Sequence, residues 1–267
     1  MSSWKNKVAL ITGSSQGFGK HLAGQFAAAG AHVVITGRNQ GQADATAEAI
    51  RSRGLAASSF AADVTRPGQV ADLFSWIRET HGSLDVLVNN VGRSTRGRAS
   101  ETEPEEFREL FEINFVSAVN CCARAIPLLV DSGGSIANIG SLACKSAGEH
   151  LGAYPASKFA LAAYNHQLRA ELKPRGVHVL LVCSGPIRRE DAGPRYQDQA
   201  RNLPPEASEP GGGVRLVGIS PDRLAERVIR ACEKRQPELV VPGRARLLFA
   251  ISQVWPGLGD LILRRFN

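Results

Sequence analysis

Three observations predict an α/β chain built as a doubly wound parallel sheet of about seven strands with helices on both faces. Short apolar runs recur along the chain, segments of helical periodicity separate them, and the first run leads directly into a glycine-rich turn. Strands that alternate with helices in this way imply parallel βαβ units with right-handed crossovers. The 267 residues, with 43% apolar content, suffice for one domain of the larger sort, and no linker or internal repeat marks a second.

The first strand, at residues 7–12, carries Val8, Ala9, Leu10 and Ile11 and runs into Gly13-Ser14-Ser15-Gln16-Gly17-Phe18-Gly19. A helical pattern through Leu22, Phe26 and Ala29 then ends at Gly30. Glycines in such a turn allow close backbone approach, and the helix start offers N–H groups and a positive dipole end to a pyrophosphate. A phosphate cradle and a plain glycine-rich loop both fit the spacing G-x-x-x-G-x-G, which differs from the G-x-G-x-x-G of many dinucleotide enzymes. The second strand, at 31–36, ends in Gly37-Arg38. A doubly wound sheet reads an adenosine ribose at that strand end. No acid stands there and the Arg38 guanidinium suits a 2′-phosphate, so the sequence favours NADP(H) over NAD(H). A solvated surface arginine is the competing reading.

Further strands are expected at 56–61, 84–89, 135–139, 177–182 and 238–241, with one helix opening near Pro104 and Glu105 and another at Pro221. Ser141 follows the fifth strand, and Tyr154 and Lys158 stand four apart, on one face if their segment is helical. A free phenol titrates at about 10, and a neighbouring ammonium favours the phenolate and lowers that value. Tyr154 thereby becomes a candidate general acid or base, although Tyr-x-x-x-Lys also arises on ordinary amphipathic helices.

Taken in order, Thr12-Gly13-x-x-x-Gly17-x-Gly19, Asp63-Val64, Asn89-Asn90-Val91-Gly92, Asn114, Ser141 and Tyr154-x-x-x-Lys158 resemble a short-chain dehydrogenase/reductase over roughly residues 5–240. The resemblance implies a Rossmann-like fold and hydride transfer between NADP(H) and a carbonyl or secondary alcohol. It implies cofactor contacts from Gly13, Ser15, Gln16, Gly17, Phe18 and Gly19 in the first turn, and from Arg38. Asp63 and Val64 would lie near the adenine, Asn90 and Gly92 beside the nicotinamide half, and Gly185 and Ile187 after the sixth strand. Asn114 would help hold a water next to Lys158, and Ser141 would hydrogen-bond the substrate oxygen. Tyr154 would pass that oxygen a proton while Lys158 holds the nicotinamide ribose and keeps the tyrosine acidic.

Two departures from the family pattern stand out. In Cys183-Ser184-Gly185-Pro186-Ile187-Arg188-Arg189, Ser184 replaces the usual proline, and Arg189 replaces a threonine that contacts the cofactor. An arginine contact to phosphate is the candidate substitute there. Val91 replaces an alanine, which implies a packing change only.

Residues 186–219, polar and rich in proline and glycine through Gly211-Gly212-Gly213, are read as a lid over the substrate or as disordered chain. Arg93, Arg96 and Arg98 follow the fourth strand, and Arg188, Arg189, Arg195 and Arg201 lie in the lid. They would attract an acidic substrate group to the carboxyl edge of the sheet, or pair with local acids such as Glu101, Glu190 and Asp191. The extension at 242–267 is apolar from Leu247 to Leu263 and then reads Arg264 and Arg265. Gln253, Asp260 and the Pro256-Gly257 break argue against a bilayer span. Two short helices are expected instead, which cover a pocket, join a subunit interface or rest peripherally on a membrane surface.

The 32 basic against 25 acidic residues, net +7, are spread along the chain with no nucleic-acid motif. Cys121, Cys122, Cys144, Cys183 and Cys232 show no C-x-x-C spacing, so reduced thiols and no metal site are expected. Residues 1–6 lack the apolar run of a signal peptide, and a cytoplasmic location is expected, with the tail allowing contact with the inner face of a membrane. The resemblance implies a homodimer or homotetramer paired through the helices bearing Asn114 and Lys158. The apolar tail favours a hydrophobic or acyl-type oxo substrate, such as a 3-oxoacyl thioester or a keto-lipid. The alternative is a non-catalytic dinucleotide-binding sensor or interaction protein of the same fold, which the intact Asn114, Ser141, Tyr154 and Lys158 disfavour.

Overall fold

The computed structural model describes residues 4–189, 194–212 and 217–263. Seven strands, β1 (Val8–Ile11), β2 (His32–Gly37), β3 (Ala57–Ala61), β4 (Val86–Asn89), β5 (Ser135–Ile139), β6 (His178–Ser184) and β7 (Glu238–Val241), form one sheet in the order β3-β2-β1-β4-β5-β6-β7. Every pairing in it is parallel. The strand bounds differ slightly from the expected ones: β4 begins two residues later, and β6 extends through Ser184.

The connecting helices are α1 (Gly17–Ala28), α2 (Gln40–Arg51), α3 (Pro67–His81), α4 (Pro104–Phe111), α5 (Ser117–Ser132), α6 (Tyr154–Leu172) and α7 (Pro221–Glu233). Leu10 and Ile11, adjacent in β1, point into opposite clusters, as the pleat requires. Ile11 shares its cluster with Leu22 and Phe26 of α1, Ile50 of α2 and Val228 of α7. Leu10 shares the other with Leu73 and Ile77 of α3, Leu129 of α5 and Leu168 of α6. With helices on both faces, β1, β4, β5 and β6 are buried along their whole lengths. The strand order turns back between β1 and β4, and ligands of doubly wound sheets bind outside the carboxyl ends at such a switch point.

Residues 104–132 form one rod in which a π-helical turn, Glu112–Val116, separates α4 from α5. By length and hydropathy it is the one described helix able to cross a membrane, and 44% of its apolar window is buried. Cys121, Leu128 and Leu129 lie in the core with α3, which accounts for the apolar character without a bilayer.

The tail forms the two short helices expected, α8 (Ala245–Val254) and α9 (Pro256–Leu263), neither long enough to span a bilayer. Phe249 of α8 is buried with Cys144, Leu181 and Val240. At the base of segment 186–219 the Arg188 N–H donates to the Ile219 carbonyl (2.9 Å) and the Ile219 N–H to that of Pro186 (2.8 Å). Within the intervening stretch 194–212, Ala200 and Ala207 are buried. Glu190, Asp191, Gly213, Arg264 and Arg265 lie outside the described residues.

Candidate active site

The glycine loop is a tight cradle. Gly13 and Gly17 take positive φ (62° and 54°), which lets the chain leave β1 and turn into α1. A Cβ at Gly19 would collide with the Gly13 carbonyl oxygen and lie 2.6 Å from Asn90 Nδ2. Gln16 caps α1 without a side-chain hydrogen bond, so its own side chain takes up none of the first-turn N–H groups. Such a place suits a pyrophosphate. Ser14 Oγ braces the loop by donating to the Ile11 carbonyl (2.7 Å) and accepting from the Thr36 N–H (3.0 Å). Asn90 closes it from β4, with Nδ2 donating to the carbonyls of Thr12 (3.0 Å) and Gly13 (3.3 Å). Ser15 packs on Gly37, where a Cβ would sit 2.5 Å from its Oγ.

At the far edge, Arg38 is exposed and Asp63 shares its corner. Burial raises the pKa of Asp63, but the Thr65 hydroxyl (2.7 Å) and N–H (3.0 Å), with the charges of Arg38 and Arg66, hold the carboxyl below its usual range. Val64 turns its side chain into the core, which leaves its backbone for any ligand.

The π turn bears the inward Asn114, buried at the end of β4. A π turn accommodates one residue more than the α-helical repeat, a feature frequent at functional sites. Asn114 Oδ1 accepts from the Arg93 N–H (2.7 Å), and its Nδ2 donates to the Arg93 carbonyl (2.9 Å) and to Ser157 Oγ (2.9 Å). Ser157 in turn donates to the Tyr154 carbonyl (2.7 Å). Asn114 thus acts as strand neighbour to the chain leaving β4 and ties it to the head of α6, which Pro155 starts. A Cβ at Gly92 would lie 3.0 Å from Asn114 Oδ1 and 3.3 Å from Lys158 Nζ, so the lack of a side chain there keeps these two groups together.

Tyr154 and Lys158 share one face of α6, with the ammonium 6.0 Å from the ring centre. Lys158 Nζ donates to the Ile139 carbonyl (3.0 Å) at the end of β5. Ser141 Oγ accepts from the Ala143 N–H (3.1 Å) and is hydrogen-bonded to the Tyr154 phenol. The expectation that Lys158 lowers the phenol's pKa is not met. Burial dominates and pushes Tyr154 up, with Cys144 and Tyr196 adding to the rise, against the pull of Ser141 and Arg96. Lys158 is itself lowered by burial, with Cys144 and Cys183 opposing.

All five cysteines are buried and free, but they are not alike. Burial pushes Cys122 and Cys232 up to about 12. Cys144 is lowered to about 7 by a hydrogen bond with Cys183, helped by the Lys158 charge and opposed by burial.

Above this group lies a cavity of about 610 Å³. Ser141, Tyr154 and Lys158 stand at its polar end, Phe18, Gly185 and Ile187 also line it, and Leu247, Leu248, Phe249 and Ile251 of α8 with Ile262 of α9 form an apolar wall. Arg38, Asp63 and Val64 do not line it. Of the tail's three expected placements, covering the pocket is one the structure displays.

Of the two readings of the arginines, pairing with nearby acids is the one that Arg93, Arg98 and Arg201 follow. Arg93 pairs with Glu109 (2.8 Å), Arg98 with Glu101 (3.3 Å) and Arg201 with Asp198 (3.2 Å). Arg96, only 5% exposed, is a latch. Its Nε donates to the Ala207 carbonyl (2.6 Å), its Nη2 to that of Glu209 (3.0 Å) and its Nη1 to that of Thr95 (2.8 Å), while the guanidinium stacks 3.6 Å over the Tyr196 ring. Arg189 Nη2 approaches the glycine loop, 3.6 Å from where a Cβ of Gly17 would be. The latch and the Ser157 bridge were missed in the sequence, because each depends on which distant segment arrives opposite.

A family profile described as short chain dehydrogenase matches residues 7–200. Among curated proteins, the chain is 28% identical over 275 residues to the ketoacyl reductase HetN of Nostoc sp., covering 100% of this chain and 91% of that protein. It is also 28% identical over 262 residues to a fatty acyl-CoA reductase of Acinetobacter baylyi, covering 97% of this chain and 83% of that one. Among solved structures, a gluconate 5-dehydrogenase from Burkholderia cenocepacia, in complex with NADP and tartrate, superposes with a TM-score of 0.75 at 26% identity, covering 89% of this chain and 94% of that one. Profile match, relatives and sheet topology agree: this chain is an oxidoreductase belonging to the short-chain dehydrogenase/reductase family.

Proposed function

We propose that the protein transfers a hydride between NADP(H) and a hydrophobic or acyl-type oxo substrate, a 3-oxoacyl thioester or a keto-lipid, in the reducing direction. The observation that carries this reading is the cavity: proton-bearing groups Ser141 and Tyr154 at one end, an apolar α8 wall at the other. The names of the two curated relatives, a ketoacyl reductase and a fatty acyl-CoA reductase, support an acyl substrate. The cradle of Gly13, Gly17 and Gly19 fits a pyrophosphate, Arg38 suits a 2′-phosphate, and Arg189 near Gly17 suits the phosphates from the lid side.

When bound, the nicotinamide supplies the hydride at its C4. The protein's own residues orient the substrate and handle the proton. Ser141, held by the Ala143 N–H, is placed to donate to the substrate oxygen. Tyr154, which burial keeps protonated, gives that oxygen its proton as the carbonyl carbon is reduced to the alcohol carbon. Lys158, fixed at the Ile139 carbonyl, stabilises the phenolate left behind.

The test mixes purified protein with NADPH and a 3-oxoacyl thioester, follows nicotinamide absorbance, and repeats the assay with NADH and with Arg38→Ala. NADPH oxidation is expected in the wild type, with NADPH affinity about ten-fold weaker in the variant and NADH unaffected. Absence of turnover across a broad ketone panel sinks the activity. Equal use of both nucleotides by wild type and variant removes the cofactor assignment.

A further inference from the structure

The large apolar side chains that the described chain leaves exposed gather at one place. Of seven, five lie on α8, α9 and their junction: Leu247, Val254, Trp255, Leu258 and Leu261, the second of them 86% exposed. Leu248 and Phe249 point inward to the cavity, so α8 is apolar on two sides. Leu247, Ile251 and Val254, at i, i+4 and i+7, form one row, and Leu258 and Leu261 repeat the spacing on α9. The two helices form a close hairpin, since a Cβ at Gly259 would press on Ser252, 2.7 Å from its Cα.

Charge and position say what covers this face. From residue 242 onward the sequence holds four arginines and a single acidic side chain, Asp260. Arg244 and Arg246, at the start of α8, are exposed. A basic, doubly apolar hairpin matches an anionic lipid surface, with arginines at phosphate level and apolar rows at the acyl boundary. Leu247 both lines the cavity and stands 70% exposed, so the cavity opens beside this face. A second copy seated there would set like charges together and cover that opening.

We propose that the α8–α9 hairpin docks on the surface of an anionic phospholipid bilayer, so that the cavity opens toward the membrane and takes its apolar substrate from it. The substrate half of this statement rests on the oxo-lipid reading above, while the docking half does not.

The full chain is tested by flotation with vesicles of phosphatidylcholine, alone or with about one third phosphatidylglycerol, without any turnover. The wild type is expected to float with the anionic vesicles, several-fold less with neutral ones, and less as salt rises. The Val254→Glu/Leu258→Glu variant should lose at least about ten-fold in partitioning, with unchanged thermal unfolding and unchanged NADPH oxidation on a short soluble ketone. Should that variant unfold, the wild-type salt and lipid dependence and a blue shift of Trp255 fluorescence, absent in Trp255→Phe, decide the matter. Wild type that stays in solution with both vesicles overturns the docking. A sedimentation shift of the double variant from oligomer to monomer, without vesicle binding by the wild type, assigns the face to a second copy. Flotation without reduction of any oxo-lipid retains the docking and removes the substrate reading.

Discussion

Beneath the cavity, polar side chains are fixed by buried partners; above it, the roof is held at a few points. Asn114 uses both amide atoms on Arg93 and Ser157, and Lys158 is tied to Ile139. Segment 186–219 is held by Arg96 and the bridge of Ile187 with Ile219, and the hairpin by Phe249 and the Gly259 contact. The lower region is built for fixed chemistry. The upper one is built from replaceable surface segments, which is where substrate choice in such a fold is set.

The largest expected effect comes from below. Tyr154→Phe should lower kcat by about 10³-fold, with KM and the thermal midpoint unchanged, because only the proton donor is removed. A comparable rise in KM would show that the phenol helps hold the roof. Above the cavity, Arg96→Gln withdraws a charged donor from the carbonyls of Thr95, Ala207 and Glu209, each such bond contributing about 1.5–3 kcal/mol. A loss of about 10- to 100-fold in kcat/KM is expected, mainly through KM, with faster proteolysis within 194–212. Unchanged proteolysis would mean that the lid does not depend on the latch.

Phe249→Ala sharpens the contrast through stability, with an expected loss of about 3 kcal/mol in denaturant unfolding. If the loss appears only as faster hydrogen exchange in α8, the hairpin opens independently of the sheet.

The smallest effect concerns pH. His178, on β6, is lowered from its ordinary 6.5 mainly by burial, as are His32 and His81. Below that value the unfolded chain binds more protons than the folded one, so stability falls as pH drops from about 6.5 to the lower folded values, and not further for these groups. His178→Asn should make the urea midpoint less steep between pH 7 and 5, with part of the slope left to His32 and His81.

The sheet was legible because buried parallel strands leave continuous apolar runs, and bounds moved by one or two residues because burial continues past the hydrogen-bonded ladder, as at Leu84 and Asp85 before β4. The site was legible at Tyr154, Lys158, Ser141 and Asn114 as a set of positions in order, and the structure brings those positions together. What could not be read is tertiary. The rise of the Tyr154 pKa depends on its burial in the folded chain, while Tyr154 and Lys158 alone suggest the opposite. Arg96 and Arg93 look equivalent in the loop after β4, yet one meets carbonyls and a ring and the other meets Glu109. The π turn leaves no mark in composition, since the helical pattern of 104–132 continues through it.

That wide turn has a mechanical meaning. One surplus residue rotates the downstream half by about 100° relative to an unbroken rod, and α4 packs on α6 while α5 packs on α3 and the sheet. Shortening the segment by one residue would restore a uniform winding and swing the amide of position 114 out of the crevice, uncoupling the strand terminus from the neighbouring rod while leaving both rods helical.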